Sequence, residues 1–272
     1  MSDENSSVAV IEPAPKPKRD TVGLVLSGLG QTLITAGLVV LLFVVYEVWI
    51  TNIFADHRQQ QIKEQVVKQF QAAPGTDDPV VEAEQGLPNG QQYTIPAGTG
   101  IAILYLPRFG ADYAKAIVEG TDSDDLDKGP GHYTGTQLPG QKGNFAVAGH
   151  RVGHGEPFLN LDQLQPGDAI VVRTKATWYV YTVGGTTGNI AAKDANGVPG
   201  REIVSPANTS VIAPIPDRSG ATVSTASTAY ITLTTCHPKF SATQRMIVHG
   251  TLTRTVAVNG SQLPKELPGG TL

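Results

Sequence analysis

From about Gln92 to Val258 the chain is a succession of short apolar runs, each closed by Gly, Pro, Asn or Asp. They are Ile101–Leu106, Phe145–Ala148, Ala169–Arg173, Trp178–Val183, Val211–Ile215, Tyr230–Thr235 and Met246–Leu252. Runs this short, rich in Val, Ile and Thr and punctuated by turn formers, are strands. Strands that follow one another at regular spacing are accommodated by closing the sheet on itself. The spacing therefore predicts an all-β-dominated domain built as a closed or nearly closed barrel. Thirty glycines, 19 prolines and an aromatic content of 6% fit turn-rich β structure better than a helical bundle. Pro166-Gly167-Asp168 marks a turn, and Ala169–Arg173 with Trp178–Val183 reads as a hairpin across residues 174–177. No internal repeat is present.

The segments before and after differ in kind. Residues 1–20 are polar and broken by Pro13, Pro15 and Pro17, which reads as a disordered cytoplasmic tail. Residues 21–54 hold the apolar run Leu33–Tyr46, with a softer lead-in from Val22 and an end at Trp49-Ile50, enough to span a bilayer core of roughly 30 Å. Tyr46 and Trp49 suit the interfacial belt, and Glu47 lies at its edge. A cleaved signal peptide is the competing reading, against which stand the length of the run and the lack of a following A-x-A site. Lys16, Lys18 and Arg19 before the span nearly balance Arg58, Lys63 and Lys68 after it. A short tail and a large following domain favour a single-pass protein of the cell membrane with its domain outside. Residues 55–91 read as a stalk helix, striped by Ile62, Val66, Val67 and Phe70, followed by a linker; 92–258 is the main domain, and 259–272 a Pro/Gly-rich C-terminal tail. With a net charge of −4 and no basic block, a nucleic-acid partner is not expected.

The chemistry centres on Cys236, the one cysteine in the chain. It ends a strand-like run in which Ala229, Ile231, Leu233 and Thr235 share one face and Tyr230, Thr232, Thr234 and Cys236 the other. The first set belongs in the core, so Cys236 points to the more polar side. After the loop 237–244, Arg245 opens the next strand, and pairing of the two strands would set it beside Cys236. A guanidinium there favours a thiolate and can support a developing oxyanion. A thiol nucleophile also needs a proton carrier. His150, ending the run Phe145–Gly149, is the candidate, and His237 is its rival, although neighbours along a strand point apart. His57 reads as solvated, His132 and His154 as loop residues, and His249 as a strand residue. With one cysteine and no C-x-x-C, a zinc site is not expected, nor any cofactor.

The run Thr232-Leu233-Thr234-Thr235-Cys236 with Arg245 after it resembles the T-L-x-T-C…R signature of sortases. Gly143–Arg151 resembles their histidine segment, and Gly129–Thr136, with His132-Tyr133, is similar to the form found in class E sortases of high-GC Gram-positive bacteria. The likeness runs from about Gln92 to Val258. It implies an eight-stranded sortase β-barrel with short helices and a cysteine transpeptidase in which Cys236 is the nucleophile, His150 the general acid/base and Arg245 the stabiliser of substrate and oxyanion. The substrate would be a surface protein with a C-terminal sorting signal of the LPxTG or LAxTG kind, cut between Thr and Gly. An amine of the cell-wall peptidoglycan precursor would then resolve the thioester. The resemblance further implies that Tyr133 bears on an Ala preference in the signal and that Thr235 contacts substrate near the oxyanion. Asp78-Pro79-Val80 lacks the aromatic residue of the lid found in pilus-building sortases, which favours a housekeeping anchoring role over pilus polymerisation. Glu156, Asp162 and Asp168 are dispersed, so calcium dependence is not expected. An L,D-transpeptidase and a papain-like protease fit the order and surroundings of Cys236 and His150 poorly. A membrane-tethered β module that only binds, with an inert thiol, is the remaining alternative.

Overall fold

The structure, a computed structural model, describes residues 21–46, 51–71, 80, 94–260 and 262–268. The expected tail 1–20, Asp78-Pro79 and almost all of the linker lie outside the described residues. The chain divides into two units, residues 1–46 and 47–272. In the first, helix α1 (Thr21–Val45) carries the apolar run; Val25–Val45 has a mean hydropathy of 2.2 and no buried residue. Its length and composition suit a membrane span.

Among its described residues the second unit holds nine strands: β1 (Gly100–Tyr105), β2 (Ala114–Glu119), β3 (Gly131–His132), β4 (Gly143–Ala148), β5 (Ala169–Arg173), β6 (Thr177–Val183), β7 (Arg201–Val204), β8 (Ala229–His237) and β9 (Gln244–Ala257). Eight of them close in the order β6-β5-β1-β2-β3-β4-β8-β9, with β9 returning to β6, and β7 adds to β9 outside that ring. Closure depends on the 14 residues of β9. Its first half pairs with β8 from His237↔Gln244 to Tyr230↔Thr251, and its second half pairs with β6 from Val183↔Gly250 to Thr177↔Ala257. Period-two alternation fills the interior: Ile101, Leu104, Phe145, Val147, Ile170, Val172, Ile231, Leu233 and Val248 belong to one buried cluster.

The hairpin read across residues 174–177 is present, with Thr177 already in the strand. The run Val211–Ile215 is not a strand. Residues Thr209–Ile212 form a 3-10 turn whose first amide groups are met by Asn208, as Ser210 N–H donates to Asn208 Oδ1 at 3.1 Å. Pro214 and Pro216 follow, and proline cannot continue a ladder. Strands β2, β3 and β7 carry no long apolar run and depend on their neighbours for pairing.

The segment expected to be a stalk is helix α2 (Thr51–Gln71), and it packs on the barrel. Its stripe of Ile62, Val66, Val67 and Phe70 covers an outer cluster of Ile103, Tyr105, Val171 and Trp178. The same cluster takes Leu263 and Leu267 from the expected C-terminal tail, and Arg254 pairs with Glu266 there. A barrel strand with apolar residues on both faces needs such a cover. Buried Gln59 fixes the helix: its Oε1 accepts from Ala116 N–H at 2.8 Å and its Nε2 donates to Ala116 O at 3.0 Å. The amide side chain thus supplies both hydrogen bonds of β2 at that residue. Any side chain at Gly129 would collide with it, since a Cβ there would lie 1.8 Å from Gln59 Nε2.

Candidate active site

Strands β4 and β8 run parallel, with Ala148 opposite Thr234. Two residues beyond that pair stand His150, just past the end of β4, and Cys236, still on β8. Parallel pairing is what brings them to the same end of the barrel. The junction is held by two hydrogen bonds: Gly149 N–H donates to Thr234 O at 3.0 Å, and Thr235 Oγ1 donates to Gly149 O at 2.7 Å. His150, Arg151, Val152, Cys236 and Phe240–Ala242 enclose a cleft of about 250 Å³. Phe240, 83% exposed, stands at its rim.

The two faces of β8 behave as the alternation predicts on the core side, where Ile231 and Leu233 are fully buried. The other face is also covered. Asn144 Nδ2 donates to Val211 O and Ala213 O at 3.2 and 3.1 Å, and its Oδ1 accepts from Thr232 Oγ1 at 2.7 Å. That cover ends before Cys236, which is half-buried.

Arg245 is the direct cross-strand partner of Cys236, a position where side chains on one face stand about 5 Å apart. Its Nη1 donates to Ala242 O at 2.9 Å and Gln244 O at 3.0 Å, which anchors the guanidinium over the loop between β8 and β9. Arg245 lines a second cavity, of about 120 Å³, together with Tyr133, Thr234, Val211 and Ile247. Tyr133 is held there by a 2.9 Å hydrogen bond between its hydroxyl and Thr234 Oγ1. The pair Cys236–Arg245 thus lies between two adjoining hollows. Thr235 is on the opposite, buried face, and its hydroxyl proton is committed to Gly149 O. With its hydroxyl proton so engaged, a contact from Thr235 to substrate near the oxyanion would come from its backbone.

The six histidines separate clearly. His57 is exposed on α2. His132, expected in a loop, is buried in β3 against Glu119, and His249 is buried with Nδ1 2.8 Å from Thr232 Oγ1. His237 Nδ1 lies 3.2 Å from Arg151 Nη1 and accepts from it. Among the described residues His150 alone of the six lines the cleft with Cys236.

Arg151 is a residue that sequence reasoning passed over. It is 4% exposed, and its Nη1 reaches Cys236 O at 3.4 Å while Nη2 pairs with Asp162 Oδ1 at 2.9 Å. It thereby ties the segment after His150 to the end of β8. Its position beside His150 was the one signal available.

Asp127 and His154 were also unforeseen. Asp127 follows the short helix α3 (Ser123–Leu126), and its Oδ1 lies 2.7 Å from His154 Nδ1 and 3.8 Å from His150 Nε2. The rings of His150 and His154 stack with centroids 4.7 Å apart. Burial, foremost, and the adjacent His154 imidazole hold the pKa of His150 below the ordinary histidine value, against the pull of Asp127. Neutral imidazole is thus favoured at neutral pH. Removing the neighbouring ring with His154→Gln is expected to raise the His150 pKa, and removing the carboxylate charge with Asp127→Asn to lower it. Histidine titration by NMR in the presence of a chelator reads both shifts. Displacement of the two variants in the same direction would contradict this electrostatic account.

A closed barrel with a thiol and an imidazole sharing one cleft has the parts of a cysteine enzyme. The sortase domain pattern matches residues 104–253. The chain is 36% identical over 232 residues to Sortase SrtE1 of Streptomyces coelicolor, covering 82% of this chain and 55% of that protein. It is 36% identical over 248 residues to Sortase SrtE2 of the same organism, covering 89% of this chain and 87% of that one. Among solved structures, the SrtF sortase from Corynebacterium diphtheriae superposes with a TM-score of 0.60 at 38% identity, over 68% of this chain and 100% of that one. The chain belongs to the sortase family, with class E members among its relatives. It spans just over half the length of SrtE1.

Proposed function

We propose that this chain cleaves a C-terminal sorting signal of the LAxTG or LPxTG kind between Thr and Gly and joins the released surface protein to a cell-wall amine. Cys236 Sγ attacks the Thr carbonyl carbon and its proton passes to His150. The tetrahedral oxyanion forms beside Arg245, whose guanidinium keeps its charge at any working pH. His150 returns the proton to the Gly nitrogen as the C–N bond breaks, leaving a thioester on Cys236. An amine then attacks the thioester, His150 takes its proton, and the thiol is regenerated. Splitting the acyl transfer in two lets an amine rather than water be the acceptor. The observation that carries this reading is the parallel β4–β8 pairing, which sets the one cysteine of the chain abreast of His150.

The cavity of Tyr133, Thr234 and Arg245 lies where the residues before the scissile bond would sit, and Tyr133 would there bear on the choice between Ala and Pro. Helix α1 supports anchoring in the cell membrane with the barrel, residues 92–258, outside. The test is incubation of the full chain in detergent with paired LAxTG and LPxTG peptides and a small amine, with products followed by mass spectrometry. Cleavage at Thr–Gly with transfer to the amine is expected. No product and no thioester from either peptide would overturn the substrate class.

Arg245→Lys tests the oxyanion assignment. A lysine retains the charge and loses the planar guanidinium, whose Nη1 here donates to both the Ala242 and Gln244 carbonyls while the other donors remain for an oxyanion. A loss of roughly 100-fold in kcat is expected, in the range for removing one oxyanion donor. Near-normal turnover of Arg245→Lys would remove that role.

A further inference from the structure

We propose that Asp127, His150 and His154 form a binding site for a borderline divalent cation such as zinc, and that its occupancy switches the enzyme off. The ligating atoms of the three side chains all lie within 4.8 Å of one another. Two pairs are closer, His154 Nδ1 to Asp127 Oδ1 at 2.7 Å and His150 Nε2 to the same oxygen at 3.8 Å. Zinc bonds to imidazole nitrogen and carboxylate oxygen are about 2.0–2.2 Å, so donors in a tetrahedral shell stand about 3.4 Å apart. The cluster brackets that spacing, and small side-chain rotations close it.

The spacing has a structural cause. His150 and His154 stand in H-x-x-x-H spacing, which the expectation of no zinc site passed over, in a loop and not on a helix. Between and after them the backbone turns through left-handed conformations, with φ of 71° at Gly153, 52° at His154 and 73° at Gly155. This folds the second imidazole back over the first. Asp127 comes from the other side, at the end of α3. Two imidazoles from one loop and a carboxylate from another segment make the donor set of zinc sites that keep one position open.

Independent support comes from the cleft itself. His150 Nε2 is buried and has no hydrogen-bond partner among the described residues. A buried ring nitrogen without a partner is costly unless something is bound there. The side chains of His150, Asp127 and His154 remain 27%, 30% and 47% exposed, which leaves an ion a way in from solvent.

The binding stands on geometry alone; the inhibition rests on the proton-carrying role proposed for His150. A bound cation occupies the Nε2 lone pair, and His150 can then neither accept nor deliver a proton.

The site is tested by titrating the full chain in detergent with Co²⁺, used as a spectroscopic probe, and by competing with Zn²⁺. One Co²⁺ per chain with tetrahedral ligand-field bands is expected. Affinity should fall at least about tenfold in His154→Ala and in Asp127→Asn, and the bands should persist in Cys236→Ala. Unchanged affinity in His154→Ala, or loss of the bands in Cys236→Ala with retention in His154→Ala, would overturn the site, the latter in favour of a thiol-only complex. Peptide cleavage with and without Zn²⁺ reads the consequence. The wild-type rate should fall at least about tenfold on saturation, and the rate of His154→Ala should hardly change relative to its own metal-free value. Binding through His154 that leaves cleavage untouched would uphold the site and overturn the switch, pointing to a failure of the role given to His150.

Discussion

Cys236→Ala is expected to abolish thioester formation and to lower peptide cleavage by roughly three to six orders of magnitude, the scale on which removal of a nucleophile acts. The fold should be unaffected. Cys236 is half-buried at the end of β8, beyond the covered stretch Thr232–Thr235, and its thiol fills no core position. The chain holds no other cysteine to substitute for it. Mass spectrometry of the enzyme quenched during turnover reads the acyl adduct directly, and circular dichroism checks the fold. Cleavage by Cys236→Ala within about tenfold of wild type would require a mechanism without a covalent thioester.

The second large effect is on stability. His132→Ala is expected to cost about 2–4 kcal/mol, from buried hydrogen bonds left unmade and the space the ring vacates. His132 Nδ1 lies 2.6 Å from Glu119 Oε2, with the two side chains 3% and 5% exposed. Thr134 Oγ1 donates to the other carboxylate oxygen at 2.6 Å, and His132 Nε2 meets Thr136 Oγ1 at 2.9 Å. Truncating the imidazole leaves Glu119 buried with Thr134 as its remaining side-chain partner. The network also orients the next residue, Tyr133, so KM should rise with the loss of stability. Urea unfolding of the full chain measures the first and peptide kinetics the second. A loss below about 1 kcal/mol would show that the pair relaxes towards solvent instead.

Much of the barrel was legible because strand periodicity is a local property. Ala169–Arg173 and Trp178–Val183 are short runs of β-branched and aromatic residues, Tyr230–Thr235 alternates apolar and polar residues, and the structure places all three as strands. Val211–Ile215 has the same texture and misleads, because Asn208 and two prolines commit it to a 3-10 turn. The α2 stripe was visible while its purpose was not. Four apolar side chains on one helical face say that something covers them, and only the apolar outer Tyr105–Trp178 side of the barrel says what.

By itself the sequence determined the family, the barrel class, the apolar N-terminal helix and the cross-strand match of Cys236 with Arg245, since each follows from residues near one another in the chain. What the tertiary structure decided are the contacts between segments far apart. These are the parallel β4–β8 pairing that puts His150 abreast of Cys236, the burial of Arg151 against the Cys236 carbonyl, and the meeting of Asp127 with His150 and His154. Their physical basis is barrel closure. Which strand pairs with which is settled by burying both faces of the sheet at once, and no local pattern of residues carries that information.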